Sequence, residues 1–172
     1  MNDLFRRLRQ RSAATFSPDR VYRYTLTRTW GEGRPFVVIG VNPSTADETG
    51  DDPTIRRCVS FAADHGCGSL VMLNAFAYRA TDVKVLGGNI GDPVGPDNNT
   101  AIRREVAAPD ALVVCAWGAR GKVPPWLRCR FAEVTAIVRT VTTTHALSVT
   151  KDGDPAHPLY LPSVCRAEVW GG

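Results

Sequence analysis

VVIGVNPSTAD, residues 37–47, opens as a buried strand and closes as a polar corner. Val37, Val38 and Ile39 form a β-branched apolar run, the composition of a strand covered on both faces. Gly40 and Pro43 break the run and leave Asn42, Ser44, Thr45 and Asp47 at its carboxyl end. Such a corner reads plainly as a turn, because Asn, Pro and Ser are turn formers. It also reads as a ligand site, because open α/β sheets bind ligands beyond the carboxyl ends of their strands. The choice depends on what the other strands bring to the same rim.

Three further segments end in the same way. SLVMLN (69–74) is a buried strand that again stops at an Asn, and ALVVCAWG (111–118) is one closed by Trp-Gly. THALSVT (144–150) is a fourth, followed by the loop KDGDPAHPLYLP. Amphipathic segments lie between them. Asp52 as N-cap and Pro53 at the first helical position predict a helix over about 54–65 that ends at Gly66. A short helix is expected around Thr81–Leu86, one from Asp97 to about Val106, and one after Pro124-Pro125. VYRYTLTRTW (21–30) reads as a strand, and the first twenty residues as a basic helix turning Leu4, Phe5 and Leu8 to the body. Apolar strands alternating with helices predict an α/β domain with a parallel sheet covered on both faces. Strands at 36–41, 69–74, 111–116 and 144–150 then bring Asn42, Asn74, the Trp117-Gly118 corner and the His157 loop to one edge. One polar corner is a turn; several on one rim form a pocket.

Composition bounds the function. At 172 residues without a divisible linker the chain reads as a single domain, 1–172. No apolar run approaches the roughly 18 to 20 residues of a membrane span, and the N-terminus has no secretory h-region, so a cytoplasmic protein is expected. Five cysteines at scattered spacings suggest neither a zinc ribbon nor an iron–sulfur cluster. Net charge is +4, and 18 of the 21 basic residues are Arg, the side chain that binds phosphate bidentately. Arg6–Arg11, Arg56-Arg57 and Arg103-Arg104 are either a nucleic-acid footprint or solvated faces.

In this order, the four corners resemble the uracil-DNA glycosylase superfamily. GVNPS (40–44) resembles its first motif in the Gly-x-Asn-Pro form, and SLVMLNAFAYRA (69–80) the strand ending in a base-reading Asn. LVVCAWGARGK (112–122) resembles the strand ending in Trp-Gly, and HPLYL (157–161) the His-Pro motif that opens a DNA-intercalating loop. The likeness spans residues 36–162, and the run NPSTADETGDDPTIRR resembles, more closely, a bacterial and phage family of unknown function. The superfamily implies a three-layer α/β/α fold with a mostly parallel central sheet of about four strands. Two departures stand out: its best-known branch has Asp and an aromatic residue where this chain has Asn42 and Ser44.

The resemblance also implies roles. Asn42 positions a water under C1′ of a flipped nucleotide, and His157 donates a hydrogen bond to the departing base. Gly40, Val41, Pro43, Ser44, Asn74 and Phe76 surround the base, Asn74 offering both a donor and an acceptor. Phe61 and Tyr78 are further candidates for stacking on it. Leu159, Tyr160, Leu161, Arg79 and Arg120 contact DNA. Asp47, Asp51 and Asp52 read as helix-capping or loop-shaping, with one of them able to support the water; His65 and His145 read as structural. The expected protein is a monomeric, monofunctional DNA glycosylase for a damaged or 5-modified pyrimidine, in repair or in defence against modified phage DNA. It needs no cofactor and no metal, because the histidines lack ligand spacing. Two alternatives stand beside it: a non-catalytic module that binds nucleic acid or nucleotides, and a nucleotide N-glycosidase.

Overall fold

The computed structural model describes residues 11–172, and its centre is the run 35–40. Strand β3 (Pro35–Gly40) lies between β4 (Ser69–Asn74) and β5 (Leu112–Cys115), parallel to both. β6 (His145–Ala146) continues the parallel set on β5. The sheet does not stop at these four. β1 (Arg11–Phe16) and β2 (Arg23–Thr29) add an antiparallel flank outside β4, and β7 (Glu168–Val169) pairs antiparallel with β6. The result is a seven-stranded mixed sheet in the order β1-β2-β4-β3-β5-β6-β7, against the expected mostly parallel sheet of about four.

Side-chain alternation explains why the central runs are apolar throughout. Phe36, Val38, Leu70, Met72 and Val114 face one side and pack on Ile55, Cys58, Phe61 and Ala62 of helix α1 (Pro53–Asp64). Val37, Ile39, Val71, Leu73 and Val113 face the other. There they meet Ile102 and Val106 of α2 (Asn98–Val106) and Phe131, Val134 and Val138 of α3 (Cys129–Arg139). A sheet covered on both faces leaves no polar side for a strand to show. Burial pushes the Cys58 and Cys115 thiols up to about 12, in keeping with small core residues.

Helix boundaries follow their caps. The Asp52 side chain accepts from Ile55 N at 2.9 Å, with Pro53 opening α1 as expected. The short helix after Asp82 is a 3-10 turn over Val83–Gly87. Two expectations need correction. Residues 11–16 form β1 rather than the end of a basic helix, and residues 1–10 lie outside those described. The Ser17-Pro18-Asp19 hairpin turns β1 back onto β2, and that pairing decides the local conformation. The fourth strand is His145–Ala146 alone; beyond it the chain turns, with Val149 bridged to Pro155 and Thr150 N donating to Asp154 O at 2.8 Å.

Candidate functional site

Beyond the carboxyl ends of β3 and β4 lies a cleft of about 370 Å³. Val41, Asn42, Ser44, Asn74, His157, Leu159 and Tyr160 line it together with Arg23 and Asp52. Residues from four separate stretches of sequence therefore share one cavity, while the Trp117-Gly118 corner lines an adjoining cavity of about 170 Å³ with Val41, His157 and Tyr160 instead.

Asn74 is the most constrained of them. It is 1% exposed, yet among the described residues neither its Nδ2 nor its Oδ1 has a hydrogen-bond partner. Its backbone is held firmly: Ala75 N donates to Gly40 O at 2.9 Å, and Asn98 Nδ2 donates to both Asn74 O and Ala75 O at 3.1 Å. Arg130 Nε donates to Ala75 O at 2.8 Å from α3. Gly40 makes room, since a Cβ there would lie 3.0 Å from Asn74 Oδ1. A buried amide left doubly unsatisfied costs about 1–3 kcal/mol for each group, so it is a place where a ligand has something to gain.

Asn42 is oriented by acceptors. Its Nδ2 donates to Ala80 O at 2.7 Å and to Pro43 O at 3.2 Å. Two carbonyl oxygens can only accept, so the amide cannot flip, and Oδ1 is the end left free. Pro43 is itself held by Ala80 N, which donates to Pro43 O at 2.9 Å. Among the described residues the Ser44 hydroxyl makes no hydrogen bond, so it does not cap the turn.

His157 also lines the cleft. Its Nδ1 accepts from Leu159 N at 3.4 Å, which assigns the ring proton to Nε2 in the neutral form. Burial, and then the Lys122 ammonium, lower its pKa below the ordinary histidine value, while Asp52 opposes them. The loop approaches closely because Gly118 has φ +76° and a Cβ there would lie 3.2 Å from His157 Cβ. Gly118 N also donates to Pro155 O at 2.8 Å. The Tyr160 ring, 79% exposed, stands 5.9 Å from the imidazole, and Arg57 of α1 donates to Leu161 O.

The sequence reading missed Arg23 and Arg28. Both are buried on β2 and clamp the loop after β3. Arg23 Nη1 donates to Ala46 O at 2.6 Å; Arg28 Nη2 donates to Asp47 O at 2.5 Å, and its Nε donates to Asp51 at 2.8 Å. These guanidiniums are buried rather than solvated and spend their donors on loop carbonyls and Asp51. Their signal was an Arg at each end of a β-rich run, a pattern that composition alone reads as charge. Arg23 also faces the cleft with its Nε unpartnered, and burial lowers its pKa to about 10, so it remains a cation at neutral pH. Asp47 is the loop's own turn acceptor: bonds from Thr49 and Gly50 hold its carboxyl at about 2.

Other expected residues lie elsewhere. Phe76 is fully buried against Phe131 in the core on the α2–α3 side, because alternation lapses where β4 ends at Asn74 and both Ala75 and Phe76 turn to that side. Phe61 is α1 core beneath Arg57, and Tyr78 packs on Tyr22. The aromatic ring in the cleft wall is that of Tyr160. Leu161 packs against the α1-side core. Arg120 Nε pairs with Asp154 at 3.0 Å beside a separate cavity lined by Trp117 and Trp170. Arg79 lines a basin adjoining the cleft. His65 links α1 to the C-terminal segment, donating from Nδ1 to Phe61 O at 2.7 Å and accepting from Ala167 N at 2.9 Å. His145 Nδ1 lies 3.2 Å from Val113 O.

Among the described residues, no group of three or more His, Cys, Asp or Glu could hold a metal ion. No helix among them is long and apolar enough to cross a membrane. No curated protein and no solved structure matches the chain. Residues 23–159, from the clamp on β2 to the loop that carries His157, match one family throughout, and the chain belongs to that family, a protein family of unknown function (DUF1643).

Proposed function

We propose that the protein is a monofunctional DNA glycosylase that hydrolyses the N-glycosidic bond of a damaged or 5-modified pyrimidine and leaves an abasic site. The observation that carries this reading is the Asn74 amide, buried in the cleft with donor and acceptor both unspent. A pyrimidine edge presents the complementary pair, a carbonyl beside an N–H or amino group. Water, held by Asn42 Oδ1, adds its oxygen to C1′ while the C1′–N bond breaks and its electron pair leaves with the base. His157, as the neutral imidazole, offers Nε2–H to the negative charge growing on the base carbonyl; such preorganised donors are typically worth about 10²–10³ in rate. The water proton ends in solvent or on the released base. Leu159 and exposed Tyr160, at the cleft mouth, suit a wedge that fills the gap left by a flipped nucleotide.

The test is mass spectrometry of the base released from a panel of genomic and phage DNAs, with abasic sites measured in parallel. Free base together with an abasic site supports the reading. Release from free nucleotides alone replaces it with a nucleotide N-glycosidase, and tight binding without release replaces it with a binding module.

A further inference from the structure

Beside the cleft, and sharing Ser44, Ala80 and Thr81 with it, lies a basin of about 570 Å³. Its charged wall is Arg20 and Arg79. Both guanidiniums stand over the Phe16 ring, at 3.8 Å and 5.0 Å from its centre, so two cations are held close together. Arg20 is partly neutralised by Glu48 at 3.0 Å. Arg79 is not: its Nη1 donates to Arg20 O at 3.2 Å, its Nε is buried without a partner, and among the described residues it makes no ion pair. The Ser44, Thr45 and Thr81 hydroxyls, on the same wall, make no hydrogen bond within the described chain. An uncompensated guanidinium whose Nη2 is left without a partner among the described residues, beside three free hydroxyls, is a donor-rich site, the chemistry that recognises a phosphate.

We infer that the Arg20–Arg79 basin binds the phosphate of the nucleotide whose base occupies the cleft. This rests on the base-pocket reading for what fills the cleft, and on the basin's own donors for the phosphate. Arg79 supplies its free Nη2 edge, Ser44 and Thr81 sit at the seam between base and phosphate, and Arg20 adds charge once Glu48 yields. The substrate is then a nucleotide rather than a nucleoside, drawn from a strand or from the free pool.

The experiment is a nitrogen–proton NMR titration that follows the Arg79 Nε–H signal, assigned by its loss in Arg79→Gln. Inorganic phosphate should shift that signal saturably, and deoxyuridine 5′-monophosphate should bind at least about tenfold more tightly than deoxyuridine. Arg79→Gln should remove that preference while leaving deoxyuridine binding in place. Glu48→Gln, which frees Arg20 without touching Arg79, should strengthen phosphate binding. A silent Arg79 signal, equal binding of nucleotide and nucleoside, or a Glu48→Gln protein with unchanged or weaker phosphate binding overturns the inference. A pentanucleotide that binds more tightly than the mononucleotide identifies a strand as the phosphate source; equal binding identifies the free nucleotide. Phosphate binding without base release would leave this site standing and remove the glycosylase reading. Base release unaffected by Arg79→Gln would do the reverse.

Discussion

Gly40 and Asn74 sit side by side at the ends of two parallel strands, and the missing side chain of the first is the space that holds the amide of the second. A Cβ on Gly40 would lie 3.0 Å from Asn74 Oδ1 and 2.7 Å from Met72 Cε. The methionine can shift, because its far end is flexible; the amide, fixed through its backbone, has less room. Gly40→Ala should therefore cost about 1–3 kcal/mol in stability. It should also lower base release at least about tenfold in protein that remains folded. Chemical denaturation and single-turnover assays measure the two effects, and full activity in Gly40→Ala would show that the amide's position is not critical.

Asn74→Leu separates stability from function. The substitution removes two unsatisfied polar groups and fills a similar volume with carbon, and unsatisfied groups of this kind cost about 1–3 kcal/mol each. The variant should melt higher, by about 2–4 °C per kcal/mol gained, while base binding is lost. A lower melting temperature would mean that the amide is satisfied in the resting protein.

Asn42→Ala should reduce turnover by at least about 10²-fold while the fold and DNA binding survive. Asn42→Asp is the more informative partner. It offers a carboxylate oxygen where Ala80 O and Pro43 O need an N–H, so a stronger base should come with a less stable loop. Full activity in folded Asn42→Ala would remove this residue from the mechanism.

For His157 the pH dependence has a definite sign. Its folded pKa lies below the ordinary histidine value, so the neutral ring is favoured by folding. That stability is present above pH ~6.5 and is lost as the pH falls toward the depressed value. Base release should be flat from about pH 6.5 upward through neutrality, because the donor is the neutral Nε2–H. His157→Gln should lose the acid-sensitive part of the stability profile. Activity that rises steeply below pH 6.5 would instead identify the imidazolium as a general acid.

Ser44→Tyr tests the specificity wall. Ser44 lines the cleft with a free hydroxyl, leaving space for a substituent at the pyrimidine 5-position. The larger ring should suppress release of a 5-substituted base more than that of an unsubstituted one. The measurement is the ratio of single-turnover rates on paired oligonucleotides that differ only at that atom; equal slowing of both would place the 5-position elsewhere.

The strand ends were legible because buried parallel strands are apolar from end to end and polar residues then mark where they stop. That property brings Asn42, Asn74 and His157 to one rim from the sequence alone, and the cleft holds all three. Phe76 was not legible in that way: strict alternation from Met72 and Asn74 puts it on the α1 side, but the strand ends at Asn74 and the ring packs against Phe131 on the other. Arg23 and Arg28 were not legible, since an Arg that hydrogen-bonds loop carbonyls and one that meets solvent contribute equally to net charge. β1 was hidden by its own basic neighbourhood, where Leu4, Phe5 and Leu8 suggest a helical face; only the partner strand's register identifies residues 11–16 as extended.

The cleft's walls are joined by bonds between distant parts of the chain, Arg23 to Ala46 near the beginning and Arg57 to Leu161 across 104 residues. Such closure comes late, because long-range contacts form only after the intervening chain has ordered. During synthesis, a nascent chain that has emerged as far as α3 carries Asn42 and Asn74 but lacks the wall that holds His157. A cleft that needs both walls is thus withheld from every incomplete copy, with translation itself as the safety catch.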